Sequence, residues 1–200
     1  MSGEETGRNL LELFYELIFH PREGFRAAAD NPPYGGAVGL VLGIYLLDFL
    51  ADASTGAMDF LGLTRDIWVL FGLSGMIIVA VAWFMQAAVV HFLAGVFGGQ
   101  GQAGVIFCLL GLAGAPLIFL PPVKLLVTAA KLSGILVTAA SVSLAAWAVV
   151  LAVLAVKETY RFTFGRAAAV VLIPGVALFL ATVLVLLLLG KAVLPNLPFG

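Results

Sequence analysis

The stretch IWVLFGLSGMIIVAVAWFMQAAVVHFLAGVF, residues 67–97, carries no Asp, Glu, Lys or Arg and no proline. As one helix it measures about 46 Å at 1.5 Å per residue, against about 30 Å for the hydrocarbon core of a bilayer. Two spans would require a turn inside it, and no residue supplies one. It reads as one long helix that tilts or projects beyond the lipid. A soluble chain of this size has nowhere to hide such a segment, so the solvent for most of the molecule is lipid.

The rest of the chain agrees. Four more apolar runs surround this one, at about 35–51, 103–123, 133–156 and 167–190. Spanning helices need roughly 20 residues, so the count is five. Of the 200 residues, 62% are hydrophobic and 10% charged; soluble domains are nearer about 25% charged. The fold class is therefore all-α, an integral membrane helical bundle. Three segments follow: 1–34 as a cytoplasmic or interfacial N-terminal segment, 35–190 as the five-span domain, and 191–200 as a C-terminal tail.

Within the first segment, NLLELFYELIFH places Glu12, Glu16 and His20 four residues apart, between Leu10, Leu13, Phe14, Leu17 and Ile18. That period marks an amphipathic helix. Pro21 ends it or opens the next turn. The helix lies in the interface plane, or it packs on the cytoplasmic end of the bundle. The start, MSGEETGRN, is acidic and polar and does not read as a cleavable targeting peptide.

With five spans, Arg8, Arg22, Arg26, Lys157, Arg161 and Arg166 share one side, and Arg65, Lys124, Lys131 and Lys191 the other. The positive-inside rule places the N-terminus in the cytoplasm and the C-terminus outside a cell membrane. A net charge of −1 offers nothing to nucleic acid. A single cysteine, Cys108, excludes an intramolecular disulfide and a cysteine-rich metal site.

Several stretches look chemical. FGGQGQAG, residues 97–104, contains G-x-G-x-x-G at Gly99, Gly101 and Gly104. A dinucleotide site needs a strand before it and an acid about 20 residues on. Here a span precedes it, and no Asp or Glu lies between Asp66 and Glu158. Gly98, Gly99 and Gly101 read instead as a tight turn, with no nucleotide and no cofactor. GLSG, residues 72–75, resembles the G-x-S-G of rhomboid proteases, yet His91 lies about 25 Å from Ser74 along the helix. Small residues at a close helix contact explain it better.

Gln86 and His91 are the polar groups of the long helix, and intramembrane polar groups are functional candidates. His91 has no metal-ligating partner at helical spacing. Asp48, Asp52, Asp59 and Asp66 read as an acidic loop on the outer side rather than a cation site, with no metal assigned. Gly35, Gly39 and Gly43 form G-x-x-x-G twice on one face of the first span, a surface for a helix of this chain or another. Pro116 and Pro174 should kink the third and fifth spans.

Taken together, HPREGFRAAADNPP before the first span, HFLAGVFGGQG closing the second and LLGLAGAPLIFLPP in the third resemble the Yip1 family. Trp147 and YRFTFGRAAAVV before the last span extend the likeness over about residues 18–190. The resemblance is to its bacterial five-span members and implies a membrane scaffold with a cytoplasmic N-terminus. Eukaryotic relatives act in vesicle traffic with Rab GTPases. This chain lacks their D-L-Y-G-P element, reads Gly111–Leu112 where Gly-Tyr is common, and has a short N-terminal extension, so the Rab-linked role does not carry over.

The function expected is that of a non-catalytic adaptor or organiser. It would act through helix contacts and the cytoplasmic face, with the lipid bilayer and a membrane-protein partner or a second copy as company. The alternative is a small transporter or channel with a polar path near Gln86 and His91. An intramembrane hydrolase would need another topology.

Overall fold

The structure, a computed structural model, describes residues 10–56, 62 and 64–193. Asp59, Arg8 and the end of the tail lie outside the described residues. Two short helices, α1 (Leu10–Phe19) and α2 (Pro21–Asp30), precede α3 (Tyr34–Ser54). Then come α4 (Arg65–Val96), α5 (Ala103–Ala113), α6 (Leu120–Ala129), α7 (Ile135–Tyr160) and α8 (Phe164–Val193). No strand occurs among the described residues. Five stretches are long and apolar enough to cross a membrane: Tyr34–Ser54, Ile67–Val96, Ala103–Ala129, Ile135–Tyr160 and Phe164–Leu189. The charge-free run that opens the argument is a single helix.

Pro21 sits in the first turn of α2, where its missing N–H costs nothing. The amphipathic segment is thus two helices meeting at His20. They touch closely at Gly24, where a Cβ would lie 3.1 Å from the backbone nitrogen of Leu17. Their apolar faces are covered by protein: Leu17, Phe25 and Ala28 are buried. α2 packs on α7 and α5, and α1 on the segment that follows α5. The two helices pack on the bundle, while Tyr15 and Phe19 of α1 stay exposed.

The third span is not one helix. α5 stops at Ala113, a 3-10 segment runs from Ala115 to Phe119, and α6 restarts at Leu120. Pro116 and Pro121 cannot donate to the preceding turn, so the backbone changes helix type rather than merely bending. α8 continues through Pro174 without a break.

The core lies around α5, whose Ile106 and Cys108–Ala113 are all buried. α4 offers it Trp83, Ala87, Val90 and Ala94, one face at helical spacing. The Trp83 indole donates to the Phe107 carbonyl at 3.1 Å and stacks on the Phe107 ring at 3.9 Å. Gly111 makes this possible, since a Cβ there would come within 2.6 Å of Trp83. Leu151–Val156 of α7 and Ala167 and Val170 of α8 close the core. Its position defines two ends. One end holds α2 and the 97–102 and 161–163 turns; the far end holds the C-terminus of α3, the start of α4 and the 130–134 connection.

Candidate functional site

At the N-terminal end the glycine turn and the end of α7 are built around each other. Gly98 has φ +81°, and its N–H and that of Gly99 cap α4 by bonding Gly95 and Ala94. This is a left-handed helix stop, for which glycine is the preferred residue. Gly99 and Gly101 serve a different purpose. A Cβ at Gly99 would meet Phe162 at 2.7 Å, and one at Gly101 would meet Tyr160 at 2.6 Å. The turn wraps over two stacked aromatic rings, Tyr160 and Phe162, 5.7 Å apart. Those rings occupy the concave side of the turn, where a bound phosphate would have to sit. Gly104 lies inside α5, beside the Tyr34 hydroxyl.

Below the turn, His91 Nδ1 and the Tyr160 hydroxyl share a hydrogen bond of 2.6 Å. The bond ties α4 to α7 across the core. It satisfies the imidazole with a phenol, where a neighbouring carbonyl would be the simplest sequence-level guess. Gln86 is exposed on α4 and does not approach His91. The two polar groups therefore do not line a common path. Ser74 Oγ donates to the Phe71 carbonyl of its own helix. Its glycine neighbours receive α3: a Cβ at Gly72 would come within 2.8 Å of the Phe49 ring, and Gly75 faces the Tyr45 hydroxyl, which donates to the Gly72 carbonyl. GLSG is a helix contact, and the serine and histidine are not brought together.

Above the turn the surface is polar. Glu158 accepts from Arg26 of α2 and from Lys157, each at 3.4 Å. Two open clefts meet there. One encloses about 470 Å³ beside Arg26, Lys157 and Phe162, and the other about 410 Å³ beside Gln100, Gln102 and Val105. They share Ala29, Asp30, Glu158 and Arg161. Arg161 takes φ +53°, ending α7 in the left-handed region that glycine usually fills.

The glycine face of α3 is open. A Cβ at Gly35, Gly39 or Gly43 would touch nothing within 4 Å. Gly35 and Gly39 instead border an apolar groove of about 350 Å³ against Leu13, Phe14 and Leu17 of α1. Among the described residues, no helix packs closely on the surface that the G-x-x-x-G spacing prepares.

At the far end Lys124 Nζ lies 2.8 Å from Asp48 and 2.8 Å from Asp52. The first two acids of the expected outer loop are thus helix residues clamped on a lysine, not a solvated loop. A carboxylate near lipid needs such a partner. The sequence holds a signal for it: Asp48 and Asp52 stand one turn apart near the end of one apolar run, and Lys124 ends another. Tyr160 and Arg161 leave a weaker signal, because the end of a long apolar run is an ordinary place for a Tyr-Arg pair.

The family model described as the Yip1 domain matches residues 15–186. The chain belongs to the Yip1 family. The match takes in four of the five apolar stretches of this Yip1-domain protein whole, the fifth as far as residue 186, and the clefts at its N-terminal end. No curated protein and no solved structure matches it significantly.

Proposed function

We propose that this Yip1-domain chain is a non-catalytic adaptor or organiser of a cell membrane, with its N-terminal end in the cytoplasm and its C-terminus outside. The open glycine face of α3 carries this reading. Small residues matter in lipid because they let backbones approach closely, which is where helix association gains its van der Waals energy. Three such residues in register, not closely packed by any described helix and flanked by an apolar groove, suit a helix of a partner or of a second copy.

Two further observations support the reading. The polar groups that might carry chemistry are used to join helices: His91 to Tyr160, Tyr45 to Gly72, Lys124 to two aspartates. For the orientation, six Lys and Arg on the N-terminal side against four on the other favour the N-terminal end as the cytoplasmic one.

The test is Gly39→Leu, compared with the parent chain by in-membrane crosslinking and co-purification in nanodiscs. A Cβ there meets nothing within 4 Å and the groove beside it has room for the rest of a leucine, so the fold survives while the close approach is blocked. Loss of a dimer or of a stoichiometric partner supports the adaptor reading. Unchanged assembly removes α3 as the working surface.

A further inference from the structure

The two clefts at the N-terminal end form one groove whose charges are sorted. On one side stands Arg161, exposed, with no hydrogen-bond or ion-pair partner among the described residues. Arg26 and Lys157 lie beside it and share one acid, Glu158, at the long distance of 3.4 Å. The other side is acceptor-rich. Asp30 is exposed and also without a partner among the described residues. The Asn31 N–H caps the Ala27 carbonyl at the end of α2, and Pro32 and Pro33 have no N–H to offer the carbonyls after it. The negative end of the helix dipole adds to this side. The groove sits where the apolar stretch Ala103–Ala129 begins and Ile135–Tyr160 ends, the depth at which a spanning helix leaves the hydrocarbon core for the lipid heads.

The arrangement calls for a ligand with an anion and a hydrogen-bonding cation close together, presented at the depth of lipid heads. We propose that the groove binds the head of a phosphoethanolamine lipid. Its phosphate is held by Arg161 with Lys157 and Arg26, since guanidinium groups recognise phosphate oxygens through paired N–H donors. Its primary ammonium donates to Asp30 and to the free carbonyls at the end of α2. A choline head offers no N–H to these acceptors, and a glycerol head offers no cation. The left-handed backbone of Arg161 fits this role: an arginine is kept where glycine is the less strained residue. This inference goes beyond the adaptor reading and does not depend on the glycine face of α3.

The experiment reconstitutes the full chain in nanodiscs with equal parts of phosphatidylethanolamine, phosphatidylcholine and phosphatidylglycerol. Native mass spectrometry then counts the lipids retained on release into mild detergent. The ethanolamine lipid is retained about tenfold over the other two, the scale of one charge-assisted hydrogen bond. Arg161→Gly lowers that retention about tenfold while thermal stability stays equal or rises, because glycine relieves the positive φ. Asp30→Asn moves the preference toward phosphatidylglycerol. Equal retention of the three lipids, a glycerol-lipid preference in the parent chain, or full retention by Arg161→Gly overturns the proposal. So does a co-purified protein, lost on Arg161→Gly, in place of the lipid.

Discussion

Along α7, Leu151–Val156 are all buried, whereas none of residues 135–150 is. The two stretches are alike in composition, both rich in Ala, Val and Leu, and belong to one unbroken helix. The same division appears in α4 and α8, while α3 and α6 bury Ala51 and Val127 toward the far end. The buried residues of α4 are Trp83, Ala87, Val90 and Ala94 toward the N-terminal end, against Gly72 alone in the first part of the helix whose side chains are described. In α8 Ala167 and Val170 are buried, and no described residue beyond them is. Near the N-terminal end α2, α5 and the glycine turn surround α7; toward the far end α6 lies beside it and most of its surface is exposed. In water such unequal halves would differ in polarity. In a bilayer both kinds of surroundings are apolar, so composition leaves no trace of the division, and the packed half is held by van der Waals fit and internal hydrogen bonds.

The sharpest way to break the comparison is one substitution made on both sides of it. Gly111→Leu must displace Trp83 from 2.6 Å and should cost at least about 3 kcal/mol, the upper range for overpacking. Gly134→Leu, at the far end with nothing within 4 Å, should leave the melting temperature in detergent unchanged. Equal losses at both positions would mean that the far half is packed too.

The far half has one strong tie of its own. Lys124→Met leaves Asp48 and Asp52 facing each other in partial burial, at a cost of about 1–3 kcal/mol. Converting both acids to asparagine in the same chain should recover most of that loss. Recovery is the informative reading, since a merely structural lysine stem would not be rescued by changing its partners.

Tyr160→Phe keeps the ring under the glycine turn and removes only the bond to His91. The expected loss is about 1 kcal/mol, seen as a lower midpoint for thermal unfolding. No change would separate the aromatic packing of this end from its hydrogen bonding.

The smallest effect has the opposite sign. Lys131 ends α6 with φ +51°, as Arg161 ends α7. Lys131→Gly should stabilise by roughly 0.5–1 kcal/mol by easing the left-handed backbone.

Much of the architecture was open to reading before any coordinates. The charge-free run at 67–97 required a single long span, Pro21 and the Asn31–Pro33 break bounded α2, and G-x-G-x-x-G without its strand was a turn. The site was less legible. His91 was visible as a polar group in a span, but its partner Tyr160 lies 69 positions away. Lys124 and Asp48 stood in separate runs, and nothing local says which face each presents. Gln86 looked equivalent to His91 and is not, because five residues of helix turn it away from the core toward the exposed side.

By itself the sequence determined the solvent, the number of crossings, the turns and the family, because these depend on length, hydropathy and local backbone chemistry. Only the tertiary structure decided which half is packed, which glycines are filled and which stay open, and which charges meet. Helices that are apolar on every side carry no amphipathic mark of their contacts. In lipid the choice of face is made by shape and by a few polar pairs, and those exist only once the helices are together.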